Sequence, residues 1–381
     1  MRVVVIADIH CHAHEQFATT LPGGRNSRFQ NILDVLKEVE TFCHKEEVDV
    51  LFVLGDVFHS RTKIDVDVYS ATWLAFQSLC GSVKQAYILT GNHDQNSKDG
   101  RIHSLEAFRS FATVIDQPVL EKVRVAKQAY IEGSGARSIL IPGGPIEELN
   151  FAAHPFTTDM DSWKTFTKML PPDLDFFLFH QGVVEANVGA FDIAIKAEVS
   201  YTDIPTSKAK WCLMGHYHKQ QWLGEDRRAG YPGSPLQHGF AERLEEKGFL
   251  FFDTEFGLGC NSARPKFIRT SAPKFVLYGT GAAFFEAFAQ DASDPRAPWN
   301  RGDFIRVAGC TPEQADKIKQ EFPRIQVELA RQEKFEENRV SADVATSDET
   351  LLQAYIEKET VNGMDPTRLL QFGMEILTSE E

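Results

Sequence analysis

Seven short apolar runs, each stopped by Gly, Asn, Asp or His, constrain this chain more than any other feature. They are "RVVVIAD" (2–8), "VDVLFVLGD" (48–56), "QAYILTGN" (85–92), "RSILIPGG" (137–144), "LDFFLFHQG" (174–182), "KWCLMGHYH" (210–218) and "GFLFFD" (248–253). Runs without strict polar–apolar alternation read as strands buried on both faces. Between the first two, "SRFQNILDVLKEVETFCHKE" spaces Phe29, Ile32, Leu33, Leu36, Val39 and Phe42 as one face of a helix. Residues 1–260 therefore read as a layered α/β domain around one or two central sheets.

A second pattern follows in residues 270–332, reached through "SARPKFIRTSAPK". Strands at 275–279, 303–309 and 324–330 alternate with helices at 281–290 and from Thr311 onward, a small βαβαβ unit. Thr311 is placed to cap its helix, with Pro312 in the first helical position and Gln314 completing a capping box. Two amphipathic stretches, "DETLLQAYIEKE" and "DPTRLLQFGMEIL", make residues 345–381 a pair of C-terminal helices.

Charge and cysteine usage narrow the class. The net charge is −14, of which the 13 acidic and five basic residues from Glu328 onward supply −8. The acidity thus lies mostly in the tail and says little about the ligand of the core. The six cysteines include no CxxC pair, which fits reduced thiols in a cytoplasmic protein. Five consecutive apolar residues before Asp8 are too few for a signal peptide or a membrane span.

The polar residues of interest sit at the carboxyl ends of the apolar runs. The first run delivers Asp8 and His10, the second Asp56 and then His59, and the third Asn92, His93 and Asp94. The fifth delivers His180, and the sixth His216 and His218. In open α/β sheets ligands bind outside the strands' carboxyl ends, so strands sharing one sheet would bring all of these side chains to one rim. Singly, each has an ordinary reading: an N-capping Asp, a Gly-Asp or Gly-Asn turn, a satisfied core histidine. Their joint recurrence at strand ends points to a metal site. Carboxylate and imidazole ligands without Cys favour Mn²⁺, Fe²⁺ or Zn²⁺ over Mg²⁺ or Ca²⁺ alone and exclude a thiolate zinc site. The set is too large for one tetrahedral ion but suits two ions about 3.5–4 Å apart, an arrangement that serves phosphoester hydrolysis.

"DIH", "GDVFH", "GNHD", "FHQG" and "GHYH", in that order, resemble the signature of the calcineurin-like metallophosphoesterases over roughly residues 1–255. Within that superfamily the chain is most similar to the SbcD-type DNA double-strand-break repair nucleases. Arg25 and Arg28 near the start of the first helix, His59 after the second motif, "HQG", and the "YPGSPLQHGFAERLEEKGFLFFD" segment carry this closer likeness. The resemblance implies a metallophosphoesterase β-sandwich flanked by helices, with a small α+β capping domain facing DNA and C-terminal helices that bind a partner. It implies one metal on Asp8, His10, Asp56 and His218 and another on Asp56, Asn92, His180 and His216, both manganese, with Asp56 bridging. It makes His93 the proton donor or transition-state stabiliser, Asp94 the residue orienting it, and His59 a substrate-positioning group. It further implies Mn²⁺-dependent exonuclease and endonuclease activity, a homodimer, and an SMC-like coiled-coil ATPase as partner, with no membrane.

Two features stand apart from that picture. Residues 256–381 carry no Lys/Arg-rich stripe, and the modest basic patches "KVRVAKQ" (122–128) and "RTSAPK" (269–274) read as solvated faces. The 29 phenylalanines sit at core spacing and offer no evident base-stacking platform. Competing readings keep the same chemistry on a small phosphodiester or a phosphoprotein, make the chain a scaffold that recruits an ATPase without catalysis, or make the metal structural. The residues after 256 exceed what a minimal small-molecule enzyme needs, and the site offers more ligands than stability requires.

Overall fold

Two six-stranded sheets face one another across a seam of apolar side chains in the computed structural model of the chain. It describes residues 1–97, 100–126, 129–132, 138–141, 146–187, 199–253, 265–330 and Leu370. In chain order the strands are β1 (Arg2–Ile6), β2 (Val50–Val53), β3 (Gln85–Leu89), β4 (Thr113–Ile115), β5 (Val119–Ala126), β6 (Ala129–Glu132), β7 (Ser138–Ile141), β8 (Ile146–His154), β9 (Leu174–His180) and β10 (Ala209–Gly215). They continue with β11 (Gln221–Leu223), β12 (Ala229–Tyr231), β13 (Gly248–Asp253), β14 (Lys266–Arg269), β15 (Phe275–Tyr278), β16 (Phe304–Cys310) and β17 (Gln326–Leu329). The helices are α1 (Ser27–Lys45), α2 (Val66–Gly81), α3 (Met160–Met169), α4 (Gly281–Asp291), α5 (Pro298–Arg301) and α6 (Pro312–Glu321).

The first sheet has the order β14-β13-β1-β2-β3-β4 and the second β11-β12-β10-β9-β8-β5. β1 to β4 are parallel, as are β8, β9, β10 and β12. Strand alternation then builds three apolar layers. Val3, Val5, Phe52 and Leu89 of the first sheet meet Phe151, Phe176, Leu178 and Leu213 of the second. The intervening residues Val4, Ile6, Leu51 and Ile88 turn outward onto α1 and α2. Phe177, Phe179, Cys212 and Met214 of the second sheet pack on Trp163 of α3. The central strands, such as β2 and β9, are thus covered on both sides, which is why their runs are continuously apolar. Every fully buried Phe or Leu contributes roughly 1.5–3 kcal/mol.

Several expectations change. The residues around 137–144 do contain a strand, but β7 pairs only with β6 in a separate ribbon. β8 was not expected, because its first residues, "IEE", are largely exposed. The supposed linker contributes β14, an edge strand antiparallel to β13. On α1, Phe29, Ile32, Leu36 and Val39 are buried as the spacing predicts, while Leu33 and Phe42 are only partly buried and Val35 and Cys43 complete the face.

β15, β16 and β17 form a third, parallel sheet with its own core of Phe284, Ile305, Val307 and Ile318. Thr311 caps α6 with Pro312 and Gln314 in the expected roles. This sheet meets the body through Phe17, Phe240, Phe275 and Phe304, with the Arg28 guanidinium 4.9 and 4.6 Å from the last two rings. Residues 1–329 form one compact unit. The helices expected in 345–381 lie outside the described residues, Leu370 excepted. Cys11, Cys43, Cys80, Cys212 and Cys310 are free and buried, and Cys260 lies outside the described residues. Among the described residues no helix is long and apolar enough to cross a membrane.

Candidate metal centre

The expected ligands do converge, though by a different route. They do not share a sheet: β1, β2 and β3 present Asp8, His10, Asp56 and Asn92, and the facing sheet presents His180 and His216 from β9 and β10. The ends are locked by backbone bonds that continue the pairing of β1 and β2 beyond the strands: Asp8 N to Gly55 O, 3.1 Å, and His10 N to Asp56 O, 2.9 Å. Asp8, His10, Asp56 and His216 all adopt positive φ, at 53°, 50°, 53° and 113°. Such strain clusters at functional sites, where surrounding contacts must hold it.

The glycines before these residues have a steric purpose. Gly91 does not take positive φ; a Cβ there would lie 2.2 Å from Asp56 Oδ1 and 2.8 Å from the His180 ring. At Gly55, with φ +88°, a Cβ would meet His180 Nδ1 at 2.6 Å. Only glycine lets the two loops approach this closely to Asp56 and His180.

Asp56 lies at the middle. Its Oδ2 is 3.5 Å from His10 Nε2 and 3.5 Å from His180 Nε2. On one side His10 Nε2 and His218 Nε2 stand 3.0 Å apart. On the other, Asn92 Oδ1 is 3.0 Å from His180 Nε2 and 2.8 Å from His216 Nδ1. Among the described residues, three groups have ligand atoms close enough to hold an ion: Asp8, His10 and His218; Asp8, Asp56 and His180; and His10, His59 and His93. Asp8 Oδ2 and His10 Nδ1 are buried without a hydrogen-bond partner, a costly state for polar atoms that a cation relieves. The donor set therefore fits divalent metal.

Hydrogen bonds fix the tautomers. His180 Nδ1 donates to the Leu54 carbonyl at 2.6 Å and His218 Nδ1 donates to Glu242 Oε1 at 2.7 Å, leaving each Nε2 as the atom that could coordinate. Burial holds His10 well below the usual imidazole range, and burial with the neighbouring His180 lowers His216 to about 3. Both are neutral near pH 7 and need lose no proton to bind metal. Burial raises Asp8 to about 6. Burial also opposes charge on Asp56, yet His180 and His10 outweigh it and keep that carboxyl well below its usual range. His180 shows the converse: burial works against its charge, but Asp56 raises it to about 9.

One assignment needs correction. Asp94 does not orient His93. Its buried carboxylate accepts from the backbone N–H of Gly91, Phe58 and Val57 at 3.0, 3.1 and 3.3 Å, tying the loops after β2 and β3 together. Burial, with Asp56 adding to it, raises this carboxyl to about 7. His93 is oriented instead by the His59 carbonyl, which accepts from its Nδ1 at 2.6 Å. The exposed His59 ring stacks on His93 at 5.6 Å.

Sequence reasoning also passed over Glu242, His12, His14 and His238. Glu242 additionally accepts from the His238 N–H at 2.9 Å, and Lys247 Nζ sits 3.0 Å from it while donating to the His218 carbonyl at 2.8 Å. His238 Nε2 donates to the Asp8 carbonyl at 3.1 Å. His12 and His14 extend the imidazole cluster outward, each ring 5.0–5.4 Å from His59. Their signal was legible as alternate positions in "HCHAH"; nothing in the local pattern marks Glu242.

Within the basic patches, Lys122 and Arg124 both pair with Glu148 at 2.9 Å, and Arg269 pairs with Glu246.

Several known proteins resemble this chain. A 24% identical relative is the SbcD component of the nuclease SbcCD of Bacillus subtilis, aligned over 275 residues, 68% of this chain and 67% of that protein. Another, carried under the name phosphoesterase 078R in Invertebrate iridescent virus 3, is 22% identical over 229 residues. That alignment takes in 59% of this chain, which spans only 58% of the viral protein's length. Among solved structures, GAP50, the anchor in the inner membrane complex of Plasmodium, and a dimetal phosphatase from Danio rerio each share 12% identity and a TM-score of 0.35. Each covers 66% of this chain, and 80% and 91% of those chains respectively. The sequence profile of the calcineurin-like phosphoesterases, a family that uses a dinuclear divalent metal centre, matches residues 1–220, and the chain belongs to that family.

Proposed function

We propose that this chain hydrolyses DNA phosphodiester bonds at a dinuclear centre loaded with manganese. The observation that carries the reading is the placement of Asp56 Oδ2 at 3.5 Å from both His10 Nε2 and His180 Nε2, as a carboxylate shared between two ions requires. Asp8, His10, Asp56 and His218 would hold one ion, and Asp56, Asn92, His180 and His216 the other. Two divalent ions, when bound, neutralise the phosphodiester and lower the pKa of the attacking water.

The remaining work falls to the chain's own groups. His180 and His218 are held with Nε2 inward by Leu54 and Glu242. His93, with Nδ1 on the His59 carbonyl, has Nε2 left to deliver a proton to the leaving oxygen, a strong base once cleaved. His59 positions the substrate on the exposed side. DNA is favoured over a small ester by the likeness to the bacterial nuclease component and by the extra parallel sheet of β15–β17, which a large substrate would explain. A homodimer and an SMC-like coiled-coil ATPase partner follow from the same resemblance, and with them borrowed DNA affinity for an acidic chain.

The test is one assay of the full chain with Mn²⁺ on linear duplex, hairpin and circular single-stranded DNA, beside bis-p-nitrophenyl phosphate. Cleavage of at least one DNA form is expected. Hydrolysis of the small ester alone, even with the ATPase added, would replace this reading with a small-molecule phosphodiesterase or phosphoprotein phosphatase.

A further inference from the structure

A cleft of about 420 Å³ opens beside the ligand cluster, where the chain leaves β8. Its size falls within the range of small-molecule sites, roughly 300–1,000 Å³. Phe156 belongs to both places. Its half-exposed ring lines the cleft and also lies nearly parallel to the His216 ring at 6.3 Å and edge-on to His180 at 6.2 Å. Its backbone is fastened to the metal loop, since Phe156 N donates to the carbonyl of Thr90, two residues before Asn92, at 3.0 Å. The buried Gln95 amide reinforces this, donating to Thr90 Oγ1 at 3.1 Å and to the Phe156 carbonyl at 3.0 Å.

The chemistry of the lining selects the ligand. Among the described residues no Lys or Arg lines the cleft, and Asp116 and Asp159 do, so a phosphate would be repelled there. Gln117, Thr157 and Thr158 instead supply amide and hydroxyl groups that both donate and accept. A flat, neutral group with a hydrogen-bonding edge and an aromatic face to stack on is what such walls accommodate.

We propose that this cleft receives a nucleobase of the substrate strand, adjacent to the phosphate held at the metal ligands. The inference rests on the DNA reading above and sharpens it. Phe156 provides the stacking face, and the Gln and Thr side chains meet the base edge. A base enters such a cleft only when it is out of the duplex stack, so the site favours frayed ends, unpaired nucleotides and single strands over fully paired DNA.

The experiment is calorimetric titration of the manganese-loaded full chain with inorganic phosphate, 2′-deoxyadenosine 5′-monophosphate and thymidine 5′-monophosphate. At least one nucleotide binds about tenfold more tightly than phosphate, the scale expected of one stacked base. Thr158→Trp, at an exposed position, fills the cleft and brings both nucleotides down to the phosphate level. Gln117→Ala, also exposed, weakens the preferred nucleotide by about threefold. Nucleotides binding no more tightly than phosphate, or a preference that survives Thr158→Trp, overturn the proposal. The phosphate arm reports the metal site alone, so DNA cleavage without a base preference refutes the cleft and leaves the nuclease reading standing. A base preference without DNA cleavage does the reverse.

Discussion

At the ends of β1, β2, β3, β9 and β10 the chain places Asp8, His10, Asp56, Asn92, His180 and His216, whereas β15 and β16 of the small sheet run out toward Thr280 and Thr311. Both regions are parallel strands followed by connecting segments, and both finish strands with small polar residues. In the small sheet those residues cap helices: Thr280 Oγ1 accepts from Ala283 N and Thr311 Oγ1 from Gln314 N. In the body they cap nothing, and four of them sit at positive φ. Among the described residues of 275–329 only glycines do so. A polar strand end whose side chain caps a helix is structural. Asp8 and Asp56 instead give Oδ1 to the backbone N–H of His216 and His93 on neighbouring loops, and Oδ2, unpartnered on Asp8, is available for chemistry, with the strained backbone costing roughly 1–3 kcal/mol per residue.

The largest effect that sharpens this contrast is expected from Asp56→Asn. Asparagine tolerates positive φ, so the fold should survive while phosphoester turnover falls by about 10³-fold. An equal loss on Thr311→Ala, measured on the same ester, would erase the distinction between the two kinds of strand end. His93→Gln comes next. It should keep both ions and lose about 10²–10⁴-fold in turnover; metal content falling with activity would make His93 a ligand. Glu242→Gln acts at one remove, freeing the His218 ring, and should weaken metal affinity by about 10–100-fold in a chelator competition. Arg28 joins the two regions, its guanidinium set over Phe275 and Phe304 and donating to the Gln16 and His238 carbonyls at 2.9 and 3.3 Å. Arg28→Met should cost about 2–3 kcal/mol in urea unfolding.

The smallest effect concerns pH. Burial lowers the imidazole of His154, whose Nε2 has no hydrogen-bond partner. Its folded pKa lies below the unfolded value near 6.5. The unfolded chain therefore takes up the proton first on acidification. The stability this group contributes is complete above about pH 6.5 and is lost as pH falls toward the folded pKa. His154→Phe, packed against Phe166, should melt no lower at pH 7 and decline less between pH 7 and pH 5. A decline parallel to wild type would show that His154 is not protonated on unfolding.

Much of the candidate site was legible because the residues that converge there terminate strands, and strands betray themselves by apolar runs. What escaped depends on the third dimension. Which sheet each strand joins is decided by packing across the seam, so β9 and β10 could not be separated from β1–β3 by pattern. β8 hid because its first residues, "IEE", are largely exposed and only Leu149 and the "FAAH" that ends it are buried. Asp94 was misread because adjacency to His93 in a turn says nothing of direction, and three backbone amides claim its carboxylate. Glu242 lies 24 residues from the His218 it orients and reaches it only through folding. Phe156 looks like any core aromatic until its half-exposed ring is seen beside His216.

The central claim is that facing strand ends converge on a dinuclear centre with Asp56 shared. Equilibrium dialysis of the full chain against Mn²⁺, with bound metal counted by mass spectrometry, tests it most directly. Two ions per wild-type chain, and no more than one tightly held in Asp56→Asn, is the predicted result. Fewer than two in the wild type, or two held equally well without the Asp56 carboxylate, would contradict it.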